Sequence, residues 1–130
     1  MTLTEKIFAL KSVRPFDVLR DSEIALIAQE ARVKQFGAGE LISDADKPIR
    51  RLHVVTSGEV KADAADQQDA FPVFGVRPLL FNQGATELLR AGVDGATCLT
   101  IKRGNFFTIA NECPALIVGF IEMAEQGRLL

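Results

Sequence analysis

The stretch from Arg51 to Ala62, RLHVVTSGEVKA, decides the fold class. Successive side chains from Leu52 to Thr56 would point to opposite faces of a sheet, with Leu52, Val54 and Thr56 on one of them. Ser57-Gly58 then predicts a turn, because glycine readily takes the positive φ that tight turns use. We expect the return strand to begin at Val60, so this stretch indicates a β-rich domain.

Two short helices are predicted on the N-terminal side of that stretch. The first runs over Thr4–Val13 and ends at Arg14-Pro15, since the residue before a proline avoids helical geometry. The second runs to about Ala31, with Asp21 or Ser22 as its N-cap and apolar residues spaced by three and four. Strand residues follow from Arg32.

The C-terminal side continues the strands and then returns to helices. A proline interrupts Phe71 to Phe74, which indicates an edge strand or a broken one. Val93-Asp94-Gly95 predicts a turn, and Ala96–Ile101 predicts a strand. Two helices close the chain, over Arg103–Asn111 and from Pro114 to about Gln126, with the proline in the first turn.

The length and composition indicate one ordinary globular domain. The chain has 130 residues, of which 48% are apolar and 25% charged. We therefore predict a single domain, 1–130, with N-terminal helices over 1–31, a β-roll over 32–101 and C-terminal helices over 102–130.

Charge and hydropathy argue against two classes of partner. The formal net charge is -2, whereas a nucleic-acid binder needs a basic surplus for its phosphate contacts. The longest apolar run, Pro114 to Ile121, is too short to span a bilayer, and the first residues do not resemble a signal peptide. We expect a cytoplasmic protein that binds neither nucleic acid directly nor a membrane.

The order of these elements resembles the cyclic-nucleotide-binding domain of the catabolite activator protein, of kinase regulatory subunits and of gated channels. That resemblance implies a mainly β fold with flanking helices, a double-stranded β-helix or jelly-roll barrel. The segments that carry it are Phe16-x-x-Leu19, Phe36-x-x-Gly39-x-x-Ile42, Leu52–Val60, Phe74-Gly75, Ile101–Phe107 and Pro114-Ala115-Leu116.

The phosphate-binding cassette of that family decides whether a cyclic nucleotide can bind. It runs Gly-Glu, a short apolar helix, then Pro-Arg: the glutamate accepts hydrogen bonds from the ribose, and the arginine neutralises the phosphate. Counted from Gly75, the glutamate position holds Val76 and the arginine position holds Ala85, or Thr86 after a shift of one residue. Both charged contacts are missing, which predicts that ordinary cAMP or cGMP binding is lost.

One alternative keeps nucleotide binding. In that alternative, Arg77 or Arg90 reaches into the cavity and replaces the missing positive charge. If neither does, both are ordinary surface arginines. The candidate ligand-binding residues of this altered cassette are Gly75, Val76, Arg77, Leu79, Ala85, Thr86 and Arg90.

The residue types that an enzyme or a metal site would need are sparse. His53 is the single histidine; we interpret it as a half-exposed strand residue with no neighbour in the local sequence to orient it. Cys98 and Cys113 lie in apolar stretches without metal-ligand spacing and are interpreted as buried free thiols. We predict no catalytic residue, no metal and no cofactor.

The last helix is apolar on nearly all sides, which favours burial on more than one side. We therefore predict a homodimer in which this helix forms the interface, through Leu116, Ile117, Phe120, Ile121 and Met123. Together, these features predict a non-catalytic regulatory or sensor module that acts through another small ligand or through protein contacts. A nucleotide receptor with a rebuilt phosphate site is the alternative, and an enzyme ranks third.

Overall fold

One antiparallel sheet organises the domain. The computed structural model describes residues 1–44, 46, 49–62, 70–80 and 88–126. Its strands run in the order β1-β5-β3-β4, and β2 also pairs with β5. Among the described residues the pairing leaves the sheet open at β1 and β4. The strands are β1 (Arg32–Phe36), β2 (Leu41–Ser43), β3 (Arg51–Ala62), β4 (Val73–Phe74) and β5 (Leu89–Lys102).

Strands β3 and β5 are long and bent, and they contain the two predicted turns. The turns at Ser57-Gly58 and Val93-Asp94-Gly95 are therefore wrong predictions: both strands continue through them. Gly58 and Gly95 each have a φ of 73°, and a Cβ on Gly58 would lie 2.1 Å from the Gly95 carbonyl oxygen. The glycines allow irregular pairing and a bend in the ladder instead of a reversal of the chain.

The bend encloses an apolar cluster, which we call the roll interior. It contains residues from both sides of the bend, with Cys98 and Phe74 on one side and Val60 and Leu89 on the other. The prediction that Phe71–Phe74 forms an edge or broken strand is confirmed: β4 has two residues and pairs only with β3 among the described strands.

The helices follow the predicted order with small shifts at their ends. They are α1 (Leu3–Lys11), α2 (Asp21–Glu30), α3 (Val76–Leu80), α4 (Arg103–Glu112) and α5 (Pro114–Glu125), with a 3-10 turn at Phe16–Val18. The predicted N-cap of α2 is wrong, because Asp21 is already helical. Arg20 takes that position, and its backbone N–H donates to the Glu23 carboxylate over 3.0 Å.

The helices pack on the opposite face of the sheet and form the larger core. Phe120 of α5 meets Phe16 edge-on at 5.9 Å between ring centroids and Phe106 at 6.0 Å. The segment that follows α1 also touches the middle of α5 directly: a Cβ on Gly119 would lie 2.4 Å from the Cβ of Pro15. Residues from α1, α2, α4, α5 and the sheet share this core, which we call the helix-side core.

No single helix within the described residues is long and apolar enough to cross a membrane. The pair α4 and α5 passes that test by length and composition only when the two are counted together, across a bend of 108°.

Candidate functional site

The cassette begins at a glycine that the fold requires. Gly75 follows β4 with a φ of 91°, and a Cβ there would lie 2.2 Å from the carbonyl oxygen of Arg51. Any other residue at this position would therefore place its Cβ against the backbone of β3 and would have to adopt an unfavourable φ. This close approach fixes where α3 starts relative to β3.

Helix α3 directs its apolar residues away from the roll interior. Val76 is completely buried and Leu79 is 4% exposed, and both belong to the helix-side core. Val76 occupies the position at which the resembled family has its ribose-binding glutamate. An alkyl side chain packed into that core offers no hydrogen-bond acceptor to a ligand.

Arg77 and Arg90, the two candidate replacements for the missing charge, occupy different surroundings. Arg90 is exposed, while its neighbours Leu89 and Ala91 are buried in the roll interior. Because side chains alternate along a strand, Arg90 lies on the outer face, where its Nη1 donates to the Gly39 carbonyl over 3.4 Å. Arg77 is half-buried on α3.

Ala85 and Thr86 complete the predicted cassette and lie outside the described residues. The structure brings Gly75, Val76, Arg77 and Leu79 together at the start of α3. It separates Arg90 from them by placing it on the outer face of β5. The lack of an arginine at position 85 or 86 is a property of the sequence.

The roll interior contains an aromatic stack centred on His53. The His53 and Phe74 rings are nearly parallel, with centroids 4.4 Å apart, and Phe36 lies 6.3 Å away on the other side. Nδ1 of His53 lies 3.0 Å from the Arg51 carbonyl oxygen, which can only accept, so the neutral ring carries its proton on Nδ1. The sequence did not show this orienting partner, since it is a backbone group.

The histidine is neutral at physiological pH. Burial lowers its pKa to about 4, assisted by the positive charges of Arg51 and Lys34, although the Arg51 carbonyl favours the protonated ring. A neutral, stacked imidazole serves the packing of the roll interior better than it would serve as a cationic anchor for an anion. The interpretation of His53 as a partly exposed strand residue agrees with its intermediate exposure. The expectation that nothing in the local sequence orients the ring is wrong, because the Arg51 carbonyl two residues away does so.

The cysteines add no charge. Both are buried and free, as predicted. Burial raises the pKa of Cys98 to about 12 and that of Cys113 to about 11, so both thiols stay protonated. Within the described ranges, no group of three His, Cys, Asp or Glu side chains is placed to hold a metal ion.

The predicted interface residues on α5 divide into two sets. Leu116, Phe120 and Met123 are buried in the helix-side core of their own chain, so they are not available to a partner while the domain is folded. Ile121 is 42% exposed, and Ile117 is half-buried. The apolar character of α5 is thus explained mainly by packing within the chain, and the homodimer stays a prediction.

Solved structures share this fold. The regulatory domain of Toxoplasma gondii PKA with cAMP superposes with a TM-score of 0.77 at 16% identity, over 95% of this chain and 50% of that one. PKAR CBD2 with bound Sp-2Cl-cAMPS gives a TM-score of 0.75 at 15% identity, over 97% and 91%. The sensor domain of the transcriptional regulator DNR from Pseudomonas aeruginosa gives 0.69 at 10% identity, over 92% and 91%.

The chain therefore has the fold of the cyclic-nucleotide-binding domains, as the sequence resemblance predicted. It spans half the length of the Toxoplasma gondii structure. No protein-family model matches the sequence, and no curated protein matches it.

Proposed function

We propose that this chain is a non-catalytic regulatory or sensor module of the cytoplasm that has lost ordinary cAMP and cGMP binding. It acts instead through another small ligand or through contacts with proteins. The neighbouring structures support a regulatory or sensor role, because one is named as a regulatory domain and another as a sensor domain. Two of the neighbours hold a cyclic nucleotide or an analogue.

The placement of Val76 supports the proposed loss of cAMP and cGMP binding. A cyclic nucleotide is an anion with a ribose, and its pocket must supply a cation for the phosphate and an acceptor for the sugar hydroxyl. Here the acceptor position is an alkyl side chain buried in the helix-side core, and the cation position holds alanine or threonine. Loss of the charged contact alone is expected to weaken binding by about a thousandfold.

The orientation of Arg90 argues against one route to a rebuilt phosphate site. Its side chain lies on the outer face of β5 and interacts with Gly39, whereas a ligand in the roll interior would face Leu89 and Ala91. Of the two arginines that the alternative of a working nucleotide receptor names, Arg77 is therefore the better candidate.

Isothermal titration calorimetry with cAMP and with cGMP tests the proposal. We expect no saturable binding of either nucleotide at concentrations up to about 50 μM, since a dissociation constant of about 1 mM is what remains without the ionic contact. The Ala85→Arg variant restores a guanidinium at the aligned position and serves as a comparison. Micromolar binding to the natural chain that disappears in Arg77→Ala, but persists in Arg90→Ala, would instead establish the receptor.

A further inference from the structure

A group of basic residues lies at one end of the sheet, on the same face as His53. We call it the basic sheet face; it consists of Arg32 and Lys34 on β1, Lys102 on β5 and Arg51 on β3. All four are exposed. The register pairs Arg51 with Lys102, and it pairs both Arg32 and His53 with Thr100. Directly opposite residues of antiparallel strands share a face, with Cβ atoms about 5 Å apart.

Side-chain contacts confirm that these residues share one face. Nζ of Lys34 lies 5.8 Å from the centroid of the Phe36 ring, and that ring in turn approaches His53. Arg32 precedes Lys34 by two positions, and Arg51 precedes His53 by two, so the alternation of strand side chains places all of them together. The charges of Lys34 and Arg51 also contribute to the low pKa of His53, which agrees with their closeness.

Within the part of the chain that the structure describes, these four cations form no ion pair with a carboxylate. Across residues 1–44, 46, 49–62, 70–80 and 88–126, the salt bridges involve Lys11, Arg14, Arg20 and Lys61 instead. Arg51 and Lys102 moreover form a like-charge pair directly across two strands, an arrangement that destabilises a sheet. A negatively charged occupant would remove that repulsion. In a chain of net charge -2, this concentration of positive charge is a local feature that the overall composition hides.

The spacing of the charges selects the kind of anion. The basic sheet face crosses three neighbouring strands, which is a width of about 10 Å, and its four charges are spread over that width instead of converging on one point. A nucleic acid would need a longer row of basic residues, and the net charge of -2 would repel it. An extended acidic peptide fits better, because alternate side chains of a strand recur about every 7 Å, which is also the separation of Arg32 and Lys34 along β1.

The position of β1 provides the backbone part of such a contact. It is the last strand in the sheet order, and within the described part of the chain only β5 pairs with it. A free strand edge can accept one further strand through main-chain hydrogen bonds, and the side chains at alternate positions then give specificity. Here those side chains are Arg32 and Lys34.

We propose that the basic sheet face, with the edge of β1 that no described strand pairs with, binds an extended acidic segment of a partner protein. This inference names a class of partner for the regulatory role proposed above, and it rests on that proposed role. The two are tested separately, since peptide binding and nucleotide calorimetry use different probes and different variants.

Fluorescence anisotropy with a labelled nine-residue peptide of alternating Glu and Thr tests the proposal at low ionic strength. We expect it to bind more tightly than the same peptide with Gln in place of Glu. Arg32→Glu with Lys34→Glu should weaken binding by about tenfold or more, because two attractions become repulsions. Lys11→Glu with Arg14→Glu changes the net charge equally but away from the sheet, and should weaken binding only through the overall charge, by much less than the β1 pair.

Nuclear magnetic resonance locates the contact. The acidic peptide should shift the amide signals of β1 and the neighbouring end of β5 and leave those of α1 and α2 in place. Equal affinity for the Glu and Gln peptides, no binding of the acidic peptide, or equal loss in the Lys11 and Arg14 control would overturn the proposal. Tighter binding of a single-stranded oligonucleotide than of the peptide would replace it with nucleic-acid recognition.

Discussion

The protonation of His53 gives a direct measure of how well the roll interior is closed. The ring is stacked on Phe74 with centroids 4.4 Å apart, and its burial lowers its pKa from 6.5 to about 4. Between these two pH values the unfolded chain binds a proton that the folded chain does not. Stability is therefore complete above about pH 6.5 and decreases as the pH falls towards 4.

The size of the effect follows from that shift. The fall of the pKa from 6.5 to about 4 sets a ceiling of about 3 kcal/mol on the contribution of His53 to the free energy of unfolding. About 2 kcal/mol of that contribution is lost between pH 7 and pH 5. The carboxyls of Glu5 and Glu23 have a lowered pKa because of hydrogen bonds from Thr2 and Arg20. Their contribution is lost below the ordinary glutamate pKa, so the interval from pH 7 to pH 5 mainly reports the histidine.

Two measurements check this prediction. His53 is the single histidine, so its imidazole signal in a proton spectrum gives the pKa without assignment. Urea denaturation at pH 7 and pH 5 should show the loss of stability, and His53→Phe, which keeps a ring beside Phe74, should abolish most of the difference. An imidazole that titrates near pH 6.5 would refute the closed, stacked arrangement.

Two further predictions concern the backbone and the helix-side core. Gly58→Ala should destabilise the domain by about 3 kcal/mol or more, because it combines a positive φ with a Cβ placed 2.1 Å from the Gly95 carbonyl. Gly39→Ala, which has a φ of 66° and open space around it, should cost only about 1 kcal/mol, and equal losses in urea denaturation would disprove the steric argument. Phe120→Ala should cost about 4 kcal/mol, since the ring is fully buried. The neighbouring Ile121→Ala should stay within about 0.5 kcal/mol, and a large effect there would indicate that Ile121 is covered by a second copy of the chain.

The sequence predicted the order of elements well, because local signals determine most of it. Pro114 does begin the last helix, and the segment Phe74-Gly75, which resembles the start of the cassette, does lead from β4 into the short helix α3. The glycines at Gly58 and Gly95 misled the analysis for a specific reason. A positive φ is needed both in a reversing turn and in a bend of a continuous strand, and the pairing partner that distinguishes them is far away in the sequence.

The candidate site could be predicted only in part. The altered cassette is visible in the sequence because it depends on residue types at aligned positions. The outward direction of Arg90 and the packing of Val76 depend on which face of each element is buried, which is a tertiary property. The basic sheet face was missed for the same reason: its four residues come from three separate segments, and only the register of β1, β5 and β3 brings them together.

The contact between Pro15 and Gly119 has a mechanical consequence. It leaves no room for a methyl group between the segment that follows α1 and the middle of α5, and Phe16 and Phe120 interlock beside it. The 3-10 turn that follows α1 is thereby held against α5. We expect a displacement of α5 to act first on that turn, so a response to a ligand or partner would pass between the C-terminal and N-terminal helices through Pro15 and Phe16.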